Sequence, residues 1–256
     1  MSSTLVIQSH RSPLPYPWIE ICMETVRNWC KLNAYAYRFI GDTLFECIPD
    51  TLLLKSQYQR VIRSDLARLL VLRDALQKYE RVVWLDADFL IFDTSNFVLP
   101  ESSYAVGREV WVQHNNQGKL KAYKKVHNAM LMFRSGNAFL DFYIDTAQRL
   151  LVSNSGSMSP QFIGPKLLTA LHNIAMLPVM ETAGMLSPLV IRDMLAGEGP
   201  ALTLFKAQSS RAIAGANLCI SSCDNNALDA AQMERVIEVL LQAPGFLPYP
   251  SCAERY

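Results

Sequence analysis

Arg81-Val82-Val83-Trp84-Leu85-Asp86-Ala87-Asp88-Phe89-Leu90-Ile91-Phe92 sets a β-rich run against two acids one residue apart and follows them at once with a second apolar run. Val82-Val83-Trp84-Leu85 is continuously apolar, as a strand buried on both faces is. Asp86 and Asp88 then stand where that strand leaves the core. An uncompensated charge beside a core is costly, so these acids must be paired or bind a cation. Strand ends in open parallel sheets are where ligands sit, and a hard, oxygen-seeking ion such as Mg²⁺ or Mn²⁺ bridging to a diphosphate suits one or two carboxylates with open positions. Asp is also common after strands because it bonds its own backbone, which makes a capped turn the other reading. On this stretch alone both stand.

Working outward, Leu5-Val6-Ile7 is a short apolar run stopped by Gln8-Ser9-His10-Arg11 and by Pro13, Pro15 and Pro17, a buried strand feeding a loop. From Trp18 to Lys31 the apolar residues Ile19, Cys22, Met23, Val26, Trp29 and Cys30 recur at three and four, which predicts an amphipathic helix with Pro17 at its start. Tyr37 to Ile40 makes a second strand ended by Gly41-Asp42, completing one β-α-β unit. Gln57 to Tyr79 holds no proline or glycine and predicts a helix running into the Arg81 strand. Ala129 to Phe133 and Phe139 to Leu151 give a further strand and helix, Gly164-Pro165 opens a helix to His172, and Met233 to Leu241 forms a last one. The alternation predicts an α/β sandwich with a mostly parallel central sheet flanked by helices.

With 256 residues, half of them apolar, the chain can bury a large core, and a single domain over residues 1–256 is expected. Lys and Arg total 24 against 23 Asp and Glu, so no net positive field exists to draw nucleic acid or an anionic membrane, and a small molecule is the expected partner. Six cysteines are too sparse for a disulfide framework, and Cys219 and Cys223 lack a second pair at zinc spacing. Reduced thiols and a cytoplasmic location are expected. Met1 to Arg11 has no basic region or cleavage site, and no transmembrane segment is expected.

The Tyr79 to Phe92 segment closely resembles the DxD segment of glycosyltransferases with the GT-A fold, in which a strand, the two acids and a short apolar strand follow one another. The resemblance implies a GT-A type Rossmann-like sandwich with a nucleotide-sugar-binding half (1–110) and an acceptor-binding half (111–256). It also implies a divalent ion, Mn²⁺ or Mg²⁺, contacted directly by Asp88, with Asp86 on the ion, a ligand water or the ribose. Arg63-Ser64-Asp65-Leu66-Ala67-Arg68 resembles the S-D-x-x-R helix upstream of the DxD in capsular-polysaccharide and Och1-like mannosyltransferases and in the large clostridial glucosylating toxins. There the Asp and the Arg hold the donor's sugar and phosphates. At about 100° per residue Asp65 falls at the flank of the arc formed by Ile62, Leu66, Leu69, Leu70 and Leu76, away from the solvated face, while an Asp65–Arg68 ion pair is its structural alternative. Arg73 also projects into this arc, a sign that the helix bends or ends early.

His127-Asn128-Ala129-Met130 is similar to that family's asparagine-led strand, in which the polar residue faces the donor sugar, so Asn128 joins the candidates. Gly164-Pro165-Lys166 resembles a turn before an acceptor-side helix of the Och1-like group and adds Gly164. The chain departs from the pattern in lacking both the glycogenin-like HxxGxxKPW motif and a Gly-Gly before the DxD strand. The third protein ligand is therefore unassigned, with Asn217, Ser221, Ser222 and Asp224 in roughly the right late position, and His172 reads as a helix-terminal histidine. The function implied is transfer of a hexosyl group from a UDP- or GDP-sugar to a glycan or other hydroxyl acceptor, metal-dependent and retaining. A haloacid-dehalogenase-like phosphatase also places Asp-x-Asp after a strand, but has Thr or Val where Leu90 stands and carries its motif near the N-terminus. A catalytically silent nucleotide-sugar or glycan-binding protein of the same fold is the other alternative.

Overall fold

Thr4–Ser9 (β1), Trp18–Leu32 (α1) and Ala36–Ile40 (β2) form the expected β-α-β unit in the computed structural model, which describes residues 3–56 and 59–243. Two helices follow, Asp50–Lys55 (α2) and Arg60–Ala75 (α3), and α3 leads to Arg81–Leu85 (β3), which pairs in parallel with β1 on the side opposite β2. The helix expected from Gln57 to Tyr79 is thus shorter. Gln57 and Tyr58 lie outside the described residues, and α3 ends at Ala75, with Arg73 exposed in its last turn rather than among the buried residues of its core-facing side.

Period-two alternation divides β3 and its neighbours between two layers. Leu5, Ile7, Val82, Trp84, Leu131 and Phe133 pack with α3 and with Phe139–Ser153 (α4), whereas Val6, Val83, Leu85, Met130 and Met132 pack with Val26, Trp29 and Cys30 of α1. A strand covered on both faces has no room for polar alternation, which is why these runs read as continuously apolar.

Phe89–Ile91 (β4), Tyr104–His114 (β5), Leu120–Arg134 (β6) and Val179–Met180 (β7) complete the strand order β2-β1-β3-β6-β5-β7 together with a separate three-stranded sheet. In that small sheet β4 pairs with Gly215–Asn217 (β9), and β9 with Ala183–Met185 (β8). The large sheet is mixed: β6 opposes both β3 and β5, while the other strands share one direction. The expectation of a mostly parallel sheet holds for every strand but β6. Pro165–Ala175 (α5) lies against β6 on the α3 side, and Pro188–Ala196 (α6), Pro200–Gln208 (α7), Ser221–Asp224 (α8) and Ala230–Gln242 (α9) build a second core with the start of α1. Among the described residues no helix is long and apolar enough to cross a membrane, and no disulfide forms.

The β5–β6 pairing slips between Val106, opposite Leu131, and Gly107, opposite His127. The three residues 128–130 of β6 therefore have no partner on β5, and a bulge of this kind re-aims side chains. Val126 and Leu131 both face the α3 layer although five positions separate them, so Asn128, two residues beyond Val126, also turns toward α3. The bulge closes on His127, whose Nδ1 accepts the Ala129 N–H at 3.2 Å and whose Nε2 stands 3.2 Å from the Ala183 carbonyl. Full burial holds this imidazole neutral, with its pKa lowered to about 4. A Cβ on Gly107 would stand 2.2 Å from the ring, so this crossing admits only glycine.

Candidate active site

Asp86 continues the ladder of β3, its N–H donating to the Ala129 carbonyl at 2.9 Å, and shares the parity of Val82 and Trp84, so its side chain turns to the α3 layer. There Asp86 Oδ1 accepts the Trp84 indole N–H at 2.7 Å and lies 3.3 Å from Arg68 Nη2. Trp84 and Arg68 also meet directly, with the guanidinium carbon 5.2 Å from the ring centroid. Gln8 Nε2 donates to the Asp86 carbonyl at 3.0 Å, tying the end of β1 to the same point.

Arg68 is 7% exposed and works as the hub of this layer. Its Nη1 donates to the Asn128 carbonyl at 2.6 Å, and its Nη2 stands 3.5 Å from Asp65 Oδ1 as well as near Asp86. Asp65 Oδ1 accepts Asn128 Nδ2 at 2.8 Å, which is how the bulge in β6 and the flank of α3 come together. The other oxygen, Asp65 Oδ2, is buried without a hydrogen-bond partner. Burial raises the Asp65 carboxyl to about 6 against the lowering effect of Arg68 and Asn128. The Asp65–Arg68 ion pair weighed from the sequence does form, but within a larger network and out of solvent.

Gly164 lies against this carboxylate. A Cβ there would come within 2.1 Å of Asp65 Oδ2 and 2.8 Å of Asn128 Nδ2, so a side chain at 164 has to push the Asp65 carboxylate aside. Gly164→Ala is expected to displace Asp65 and cost about 1–3 kcal/mol of stability, as overpacking does. A melting curve reads the cost, and an Ala variant as stable as the wild type would show that Asp65 is not seated against this turn.

Asp88 is held from the other side. Its Oδ1 accepts Asn217 Nδ2 at 2.7 Å, its Oδ2 accepts the Ile220 N–H at 2.7 Å, and its carbonyl accepts the Leu218 N–H at 3.0 Å. Asn217 is itself fixed, its Oδ1 accepting the Cys219 N–H at 2.9 Å. Cys219 has φ 57°, in the left-handed region that side chains seldom adopt, and this turn aims the Ile220 amide back at Asp88. Desolvation and the neighbouring Asp86 charge raise the Asp88 pKa, with the two hydrogen bonds working against them.

These residues line one cleft of about 850 Å³, which also takes in Ser9, His10, Arg11 and Gly41 from the ends of β1 and β2 and Arg60 from the start of α3. Asp65, Arg68, Asp86, Asp88 and Asn128 all border it. Gly164 does so only through its neighbours Pro165 and Lys166. Of the late candidates, Asn217 and Ser221 line the cleft, Ser222 is buried, and Asp224 is exposed and accepts the Tyr16 hydroxyl at 3.2 Å. His172 lies near the end of α5, outside the cleft lining.

Arg68 pairs with Asp65 and Asp86, whereas Asp88 is held by the Asn217 amide and the Ile220 N–H and has no cationic partner within 4 Å among the described residues. Among the described residues no group of three His, Cys, Asp or Glu could hold a metal. The donor set that remains, hard carboxylate oxygens beside open cleft volume, suits Mg²⁺ or Mn²⁺ completing its shell from a ligand and water rather than from a protein cage. Asp86 Oδ2 takes no part in the hydrogen bonds that hold Oδ1.

The β5–β6 wall of the cleft, with Glu109, Trp111, Tyr123 and Lys125, falls in the stretch Arg108 to Lys125, which reads from the sequence as an acceptor-side loop and is instead a two-stranded hairpin. Its signal was present as alternation, Val110 and Val112 on one strand against Leu120 and Ala122 on the other, around the turn Asn115-Asn116-Gln117-Gly118.

No protein-family model matches the chain, and no curated protein does. Among solved structures, one similar fold is a glycosyltransferase involved in the glycosylation of the major capsid of PBCV-1, at 10% identity over 92% of this chain and 98% of that one, with a TM-score of 0.47. A second is the glycosyltransferase GlyE of Streptococcus pneumoniae TIGR4, at 12% identity over 100% of this chain and 67% of that one, TM-score 0.45. A third is the galactosyltransferase LgtC in complex with donor and acceptor sugar analogues, at 11% identity over 94% and 99%, TM-score 0.43. Superpositions this loose do not decide the reaction, which has to be read from the cleft itself.

Proposed function

We propose that this chain is a glycosyltransferase that moves a hexosyl group from a UDP- or GDP-sugar to a hydroxyl acceptor, with a divalent ion, Mn²⁺ or Mg²⁺, held by Asp86 and Asp88. The observation that carries this reading is the cluster at the mouth of β3: Asp65 and Asp86 paired with Arg68, and Asp88 beside them, on an 850 Å³ cleft. When bound, such an ion neutralises phosphate oxygens and stabilises a departing diphosphate. The ends of β1 and β2, with His10, Arg11 and Gly41, flank the cluster on the parallel side of the sheet, where ligands of open α/β sheets bind.

Within the reaction, the bond from the anomeric carbon to the diphosphate oxygen breaks, a bond from that carbon to the acceptor oxygen forms, and the hydroxyl proton leaves with the diphosphate. Asp65 Oδ2, buried and unpartnered, supplies an acceptor for a donor-sugar hydroxyl and thereby orients the anomeric carbon. Arg68 holds Asp65 and Asp86 at fixed separation and adds positive charge behind the phosphates. Asn128 fixes Asp65 from the bulge, and Gly164 leaves the space in which Asp65 sits. Retention of configuration rests on the S-D-x-x-R similarity alone.

A thermal-shift panel of UDP- and GDP-sugars with and without Mn²⁺ tests this. A ligand at a hundredfold excess over its dissociation constant is expected to stabilise by about 2.7 kcal/mol, and only with the ion present. Release of nucleoside diphosphate with a retained anomer, read by proton NMR, is the expected turnover. Phosphate release from simple monoesters, or indifference to every nucleotide sugar, would refute the assignment.

A further inference from the structure

Beyond the bulge, β5 and β6 run on as a two-stranded hairpin whose faces differ in chemistry. Val110 and Val112 are buried and pack, with Leu120 and Ala122, on the core formed by α6, α7 and α9. The opposite face carries three cross-strand pairs, Glu109 with Lys125, Trp111 with Tyr123 and Gln113 with Lys121, and all of these except Lys121 line the cleft. Asn115 closes the hairpin, its Oδ1 accepting the N–H groups of Gln117 and Lys119 at 2.9 and 3.0 Å, with Gly118 at φ 72°.

Trp111 is half-buried, its indole N–H donating to Gln113 Oε1 at 3.1 Å. Tyr123 is half-buried too, with the ammonium groups of Lys121 and Lys125 at 5.1 and 5.6 Å from its ring centroid. A pair of aromatic rings left on a cleft wall, framed by a carboxylate, an amide and an ammonium, is unusual in a fold that buries Trp18, Trp29 and Trp84 almost completely. A pyranose has the complementary surface, with C–H bonds across one face and hydroxyls around its rim, while Trp and Tyr offer an apolar body with a polar tip. Strand order places this wall on the far side of β3 from the ends of β1 and β2, so a diphosphate at Asp86 and Asp88 lies between the two.

We propose that the acceptor is a saccharide and that this hairpin wall is its subsite, with a pyranose ring laid on Trp111 and its hydroxyls met by Glu109, Gln113 and Lys125. The assignment rests on the transferase reading above for its place in the reaction, though not for the binding itself. Desolvation raises the Glu109 pKa against the pull of Lys125, as befits a carboxylate set in a recess rather than on an open surface.

Tryptophan fluorescence tests the wall without any donor. Methyl glycosides of glucose, galactose and mannose, with maltose and lactose, are titrated into the wild type, Trp111→Ala, Tyr123→Ala and Trp111→Phe, each first checked for an unchanged melting temperature. At least one sugar is expected to shift or quench the wild-type emission in a saturable way. Proton NMR of the same sugar should then show its affinity falling about tenfold in both Ala variants, with partial recovery in Trp111→Phe. Transfer to that sugar should fall in step with its affinity. A wild type that responds to no sugar overturns the proposal, as does a Trp111 signal that responds to UMP or GMP instead, or transfer that survives Trp111→Ala. Loss of nucleotide-sugar binding with saccharide binding intact would sink the transferase reading alone.

Discussion

Asp88→Asn is expected to lower Mn²⁺-dependent turnover by about a thousandfold or more, the scale of removing a principal charge-stabilising group from an active site. The carboxylate takes the Asn217 amide on one oxygen and the Ile220 N–H on the other, and Asn217 cannot turn because Cys219 N–H holds its Oδ1. An amide at position 88 has one oxygen for these two donors, so its own NH₂ must confront one of them. Such a mismatch costs about 1–3 kcal/mol. Against it, the substitution removes a carboxylate that burial and the Asp86 charge already disfavour. The two effects offset, and the melting temperature should move by no more than about 4 °C. Activity that survives with the same Mn²⁺ requirement would remove Asp88 from the ion.

Asp65→Asn should separate function from stability more sharply. The amide oxygen keeps the bond from Asn128 Nδ2, but the anionic Oδ2 that has no protein partner is gone. Turnover is expected to fall by about a hundredfold or more with donor binding changed only a few-fold, because the loss lies in orientation. The folded-state carboxyl is raised to about 6 by burial, above its ordinary value near 4, so the native state holds that proton more tightly than the unfolded chain. Stability from this group is complete below about pH 4 and is lost as pH rises through about 6. The Asn variant has no such loss. Its stability relative to the wild type should therefore grow across that window by up to about 3 kcal/mol. Urea denaturation at pH 4, 5, 6 and 7 gives the curve, and a constant difference would mean that Asp65 is not the strained carboxylate its surroundings describe.

Both predictions turn on residues that stood out in the sequence, for reasons that differ. Asp86 and Asp88 were legible because β3 is covered on both faces, and a charge at the end of such a run cannot pass for ordinary surface. Asp65 was legible from the angular position of a carboxylate beside an apolar arc, and its burial in α3 agrees. Arg73 misled the same reasoning, since the buried side of the last turn of α3 is carried by Leu72 and Ala75, which leaves Arg73 in solvent. Arg108 to Lys125 reads as an acceptor-side loop, although its alternation is that of the β5–β6 hairpin. Half of its residues are polar because one face looks into a cleft, and a polar stretch with no helical period resembles a loop.

By itself the sequence determined the layers, since apolar period decides which residues leave water, and it marked the acids that such burial makes expensive. Only the tertiary structure decided what those acids meet. Asn217 reaches Asp88 across 129 positions and Asn128 reaches Asp65 across 63, the latter through a bulge that changes the facing of β6. Local periodicity carries no information about partners so far apart in the chain, because they are set by strand register and by the turns that close it.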